Sequence, residues 1–83
     1  MFKTNDYWEE EFNEYEYEDK KIDSIYFDNC TFIKCNFSKS SFDTCKFTEC
    51  TFINCDLSLS TLKNCVFNDV TFESSKLLGI HVA

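Results

Sequence analysis

Large apolar residues return at every fifth position along most of this chain: Phe27, Phe32, Phe37, Phe42, Phe47, Phe52, Leu57, Leu62, Phe67, Phe72 and Leu77. Two positions ahead of each stands a second, smaller column: Ile25, Cys30, Cys35, Ser40, Cys45, Cys50, Cys55, Ser60, Cys65, Val70 and Ser75. All six cysteines fall in it. An α-helix cannot use this pattern, because five steps of about 100° leave successive large residues about 140° apart around the cylinder. A straight strand fails differently: residues two apart share a face, but residues five apart lie on opposite faces. Both columns point inward only if the chain turns a corner in every pentad. Corners repeated in one direction close the chain into a coil, and stacked coils pair through parallel ladders about 4.8 Å apart. The polar residues between the columns, such as Thr31, Asn36, Asp43, Thr44 and Lys46, then face water. The period alone fits a three-sided coil as well as a square one.

Units such as Cys-Asn-Phe-Ser-Lys at 35–39 and Cys-Asp-Leu-Ser-Leu at 55–59 resemble the pentapeptide-repeat family, whose pattern is a small residue, Asp or Asn, Leu or Phe, then two variable positions. The resemblance spans residues 25–79. It implies an all-β fold, a right-handed quadrilateral parallel β-helix with four pentads per coil. Residues twenty apart then stack: Phe27 with Phe47 and Phe67, Phe32 with Phe52 and Phe72, Phe37 with Leu57 and Leu77. Two departures stand out. Cysteine mostly replaces the family's alanine, and the glycine that often closes a pentad occurs only at Gly79.

Charge divides the chain. Residues 1–28 hold ten acids against three lysines, a net of −7, whereas the remainder is balanced at five of each. The leader reads in two ways: Tyr7 or Trp8, Glu11 or Phe12, and Tyr15 have roughly helical spacing, while Phe12, Tyr17 and Ile22 keep the five-residue phase without the small column. The favoured reading is an acidic aromatic cap over 1–24, in which Tyr17 and Ile22 begin an incomplete first coil. A β-helix of 2.75 coils over 25–79 and a short tail at 80–83 complete the expected organisation. There is no arginine and no basic stripe, so direct nucleic-acid binding is not expected.

Six cysteines in 83 residues would ordinarily suggest a secreted disulfide scaffold. Here the register explains them as small buried core residues. No apolar run near the amino terminus resembles a signal peptide and no stretch is long enough to span a membrane, so the expected location is cytoplasmic. Square stacking sets Cys30 over Cys50, Cys35 over Cys55 and Cys45 over Cys65 at a separation a disulfide tolerates, but reducing conditions favour free thiols. The C-x4-C spacing does not match the closely paired ligands of zinc sites. His81 has no nucleophile or metal partner beside it, and the serines at 38, 40, 41, 58 and 60 follow repeat positions. No catalytic, cofactor-binding or metal-binding residue is expected, and no cofactor.

Two function classes remain. The first is a non-catalytic interaction or scaffold module for an unknown protein partner, with a candidate surface at Glu9, Glu10, Glu11, Ile33 and Ile53. The second follows from the resemblance, which extends to Qnr-like quinolone-resistance proteins: a DNA mimic that binds DNA gyrase or topoisomerase IV and protects it from quinolones. Electroneutral repeats argue against that transfer, because duplex DNA presents one phosphate per ~1.7 Å of axis. No polar cap follows Leu77, so Leu78, Ile80 and Val82 are expected to join two chains at the carboxyl-terminal coil, or else the chain is shortened from a longer solenoid.

Overall fold

The computed structural model describes residues 2–83 and consists of strands and turns. Twelve strands appear in chain order: β1 (Asp6–Trp8), β2 (Glu11–Asn13), β3 (Lys21–Asp23), β4 (Tyr26–Asp28), β5 (Thr31–Ile33), β6 (Ser41–Asp43), β7 (Lys46–Thr48), β8 (Thr51–Ile53), β9 (Thr61–Lys63), β10 (Val66–Asn68), β11 (Thr71–Glu73) and β12 (His81–Val82). They form three parallel four-stranded sheets, ordered β1-β4-β7-β10, β2-β5-β8-β11 and β3-β6-β9-β12. The remaining side, third in chain order between those of β2 and β3, is drawn by the parallel bridges Glu16↔Asn36, Asn36↔Asp56 and Asp56↔Lys76. Sides 1, 2, 3 and 4 therefore follow one another around a square, with side 3 held by single bridges. The period alone left the number of sides open; the twenty-residue offset of every register pair fixes it at four.

Corners recur where the sequence demands them. Every fifth residue from Glu9 to Ser74 has φ between 50° and 60°, and Gly79 has φ 75°. Fourteen of these fifteen corners are not glycine, and Thr44 and Leu59 are poor left-handed residues. The backbone accepts the strain because the corner amides from Glu9 to Leu59 are bonded to the next coil: Lys34 N–H donates to Ile53 O at 2.9 Å, and Thr44 N–H to Lys63 O at 2.8 Å. On side 3 the turn is tighter. Asn36 Oδ1 accepts from the Ser38 amide at 3.0 Å, Asp56 Oδ1 from the Ser58 amide at 2.9 Å, and the Ser40 and Ser60 amides reach back to Phe37 O and Leu57 O. These local side-chain bonds compete with strand pairing, which is why side 3 shows bridges instead of a sheet. They also give Asn36 and Asp56, each one position before a large inward residue, a structural role.

The interior is a set of columns. Phe27 stacks on Phe47 with ring centroids 5.0 Å apart and Phe47 on Phe67 at 4.9 Å, while Phe12, Phe32, Phe52 and Phe72 form the adjoining stack. Near-parallel rings at this spacing are imposed by the strand separation, and neighbouring columns meet edge to face, the other favourable geometry. Among the described residues no buried side-chain nitrogen or oxygen lacks a hydrogen-bond partner.

The leader differs from the cap expected over 1–24. From Asp6 it forms a first full coil: β1, β2 and β3 pair with β4, β5 and β6 in the same register, placing Tyr7 beside Phe27, Phe12 beside Phe32 and Ile22 beside Phe42. Covering its open top falls to Phe2, whose ring lies 5.0–5.8 Å from those of Tyr7, Phe12, Tyr15, Tyr17 and Phe27. The tail expected at 80–83 likewise contains β12, paired with β9, and closes the fourth coil. Neither residue 24 nor residue 79 marks a break in the architecture. The physical reason lies in the small column.

Candidate functional site

The side chains two positions before each large residue do more than leave room. The thiol of Cys35 donates to Phe12 O at 3.4 Å, Cys45 to Ile22 O at 3.4 Å, Cys50 to Phe27 O at 3.4 Å, Cys55 to Phe32 O at 3.2 Å and Cys65 to Phe42 O at 3.4 Å. The Ser40 hydroxyl makes the same bond to Tyr17 O and Ser75 to Phe52 O. Each donor reaches back to the preceding coil. A first coil has nothing to reach, so Glu10, Tyr15 and Lys20 occupy those positions without cost, and half of the repeat signal vanishes from the leader.

Five cysteines are buried, Cys65 is half-buried, and all six are free thiols. Burial pushes the Cys45 and Cys50 thiols up to about 11 and raises Cys30 as well. Cys35 is raised first by its hydrogen bond with Cys55 and then by burial. The same contact holds the Cys55 thiol below its ordinary value, but Cys55 is buried, whereas a nucleophilic cysteine needs a lowered pKa on an accessible thiol. Ser40 and Ser60 are buried and bonded to backbone carbonyls, and His81 lies exposed in β12. Among the described residues no group of three or more His, Cys, Asp or Glu side chains is arranged to hold a metal, and no helix is long and apolar enough to cross a membrane.

What the fold offers instead is surface. On side 2 the outward residues form two ladders: Glu11, Thr31, Thr51 and Thr71, and beside them Asn13, Ile33, Ile53 and Glu73. Ile33 and Ile53 are in register and half-buried against their neighbours. Glu11 sits at the head of the threonine ladder, Glu9 turns the corner into side 2 with φ 54°, and Glu10 is exposed between them. The five candidate surface residues are thus on one side or its leading corner. At the other end Leu78 is 83% exposed and Val82 73%, whereas Ile80 packs partly against the core.

Side 1 carries a grouping that the sequence reading missed. Trp8 and Tyr26 project outward there, each in register with an aspartate: Trp8 with Asp28, and Tyr26 with Asp6. Carrying the five-residue phase back from Phe12 to Tyr7 would have revealed it, since that makes Trp8 an outward residue twenty positions before Asp28.

A coiled, four-sided stack of parallel β-strands with one large residue buried per pentad defines a repeat solenoid. The family model for the pentapeptide repeat region matches residues 25–83, and the chain belongs to that family. No curated protein matches it. The first coil, in which the small column is absent, lies outside the matched segment.

Proposed function

We propose that this chain is a non-catalytic interaction module of the cytoplasm that docks a protein partner on side 2. The observation that carries this reading is the paired Thr31–Thr51–Thr71 and Ile33–Ile53 ladders, a flat, uncharged strip bordered by Glu11 and Glu73. Methyl groups on a rigid sheet bury area at little ordering cost, and the acids at Glu9, Glu10 and Glu11 favour a partner with a basic rim. Capture from the source cytoplasm, with the parent and an Ile33→Lys/Ile53→Lys double variant side by side, tests it. A partner held by the parent and released by the variant supports the reading; equal capture by both refutes it. Gyrase binding is the competing interpretation. Inhibition of supercoiling or quinolone protection at micromolar protein would replace the present reading.

The same proposal includes self-association at the carboxyl-terminal coil through Leu78, Ile80 and Val82. Phe67 and Phe72 are only half-buried there and Leu77 is 39% exposed, which gives a second copy apolar area to cover. Ile80 helps close the core, so Val82→Lys is the cleaner variant. Light scattering after size exclusion is expected to give a dimer for the parent and a monomer for V82K; a dispersed parent monomer defeats this part.

A further inference from the structure

Side 1 near the amino-terminal end holds a shallow groove of about 390 Å³ whose outward lining includes Asp6, Trp8, Tyr26, Asp28, Lys46 and Thr48. Four of these residues form a square. Asp6 and Trp8 stand two apart on β1, Tyr26 and Asp28 two apart on β4, and the register sets Asp6 beside Tyr26 and Trp8 beside Asp28. Acid and aromatic thus alternate around the square, with both acids on one diagonal and both rings on the other. Strand spacing makes its sides about 4.8 Å by 6.6 Å. Trp8 is 68% and Tyr26 52% exposed, so neither ring is used for packing. Both aspartates are exposed as well.

We propose that this square is a recognition site for an arginine side chain presented by a basic peptide segment of a partner protein. A guanidinium is flat, stacks on indole and phenol faces, and offers its edge N–H groups to carboxylates. The alternation supplies both contacts at once: rings on two corners for its faces, carboxylates on the other two for its edge. Charge complementarity selects the sign of the occupant. Asp6 and Asp28 outnumber Lys46, and the coil that contributes Asp6 belongs to the segment that carries the net charge of −7. Lys46, in register with Tyr26 on the side away from Asp6, opposes a cation and marks the groove's limit in that direction. The site is independent of docking on side 2.

Trp8 is the sole tryptophan, so its emission reports on this site alone. The probe is an acetylated, amidated tetra-arginine peptide, titrated by fluorescence and by calorimetry at about 0.1 M salt, where charges beyond ~10 Å are largely screened. The parent is expected to give a saturable change in Trp8 emission. Asp6→Asn/Asp28→Asn is expected to weaken binding by about tenfold or more, the loss of two charge-assisted contacts. The double variant Glu18→Gln/Asp19→Asn removes the same net charge at the side 3 corner and is expected to stay within about twofold of the parent, since only screened long-range attraction is lost. Lys46→Gln is expected to tighten binding. All substituted residues are exposed, and circular dichroism verifies that each variant is folded. Equal weakening by the two double variants would reduce the effect to diffuse attraction and overturn the site. Absence of a saturable signal in the parent would overturn it too.

Discussion

The two ends of this solenoid are built on different terms. At the amino-terminal end Phe2 lies over the rings of the first coil, the backbone amides of Lys3 and Thr4 donate to the Tyr7 hydroxyl, and Phe12, Tyr17 and Ile22 are buried. At the carboxyl-terminal end Phe67 and Phe72 are half-exposed and Val82 is mostly exposed. The column two positions earlier is reversed: bulky or charged in the first coil (Glu10, Tyr15, Lys20), small or apolar in the last (Cys65, Val70, Ser75, Ile80). Thiol and hydroxyl donors point from each coil to the one before it. The stack therefore has a polarity. A coil needs small residues in that column only when another coil precedes it, and bulky ones there prevent a further coil from docking on top.

The largest expected effect tests the interior that both ends protect. Phe47→Asp places a carboxylate between Phe27 and Phe67, both within stacking distance, and is expected to abolish the β circular dichroism. Its exposed neighbour changed the same way, Lys46→Asp, is expected to retain the fold. Comparable loss in both would remove the distinction between inside and outside on which every other comparison rests.

Alkali strikes the column that the first coil lacks. Cys45 and Cys50 are held protonated in the fold, with pKa values of about 11 against an ordinary 9.0. Their folded-state values are raised, so this stability is fully present below pH 9 and is lost as pH rises from 9 to 11, where the unfolded chain releases protons first. Urea midpoints measured under reducing conditions are expected to fall steadily across that window and to fall less in Cys45→Ser/Cys50→Ser. A flat profile would mean that the thiols are not buried as described.

Exchange of ladder partners sharpens the polarity itself. Cys35 occupies an interior slot directly below Tyr15, its equivalent in the first coil. Cys35→Tyr forces a ring into a filled slot and removes the donor to Phe12 O, which is expected to cost about 3 kcal/mol or more. Tyr15→Cys forfeits only packing against Phe2 and Phe12, at roughly 1 kcal/mol. Denaturant unfolding of the pair measures the difference; equal costs would deny that the column is directional.

That directionality also explains what could be read beforehand. The coil, the inward phenylalanines and the buried cysteines were legible because both columns persist from Ile25 to Leu77, whereas the coil's four sides followed only from the family resemblance. The first coil was not, since Glu10, Tyr15 and Lys20 erase one column and Tyr7, Trp8, Glu11, Phe12 and Tyr15 coincide with helical spacing. Of the candidate surface, the pairing of Ile33 with Ile53 was legible once the square coil of the family resemblance supplied the twenty-residue offset. The acid–aromatic square was hidden by the same missing column, since only the large-residue phase, carried back from Phe12 to Tyr7, marks Trp8 as facing outward. The lid escaped notice because Phe2, although it falls five positions before Tyr7 and keeps the phase, has no small column beside it to mark the repeat.

The lid is expected to matter more than the far end. Phe2→Ala uncovers five rings and is expected to cost about 2 kcal/mol, less than a fully buried phenylalanine because Phe2 is itself half-buried. Val82→Ala, mostly exposed in the monomer, is expected to cost roughly 0.5 kcal/mol or less at low protein concentration. If the two costs match in dilute solution, the amino-terminal closure contributes no more than the open end.

The smallest effect concerns the corner ladder Asp19, Lys39, Leu59 and Gly79, which ends in the chain's one glycine. Gly79 has φ 75°, where any other residue carries backbone strain of order 1 kcal/mol, yet the fold tolerates fourteen non-glycine corners of the same sign. Conformation alone therefore does not require glycine. A Cβ at Gly79 would also stand 2.7 Å from Leu59 Cδ2. That atom is the far end of an exposed, flexible side chain, so it can swing outward at little cost. Gly79→Ala is expected to destabilise by about 1 kcal/mol, with part of the strain offset by the smaller entropy of the unfolded chain. Leu59→Ala removes the obstructing atoms, and in that background Gly79→Ala is expected to cost a few tenths of a kcal/mol less. The double-mutant cycle isolates the contact from the backbone term. A coupling of zero would leave backbone strain as the sole cost of closing this corner with a side chain, as the other fourteen corners are closed.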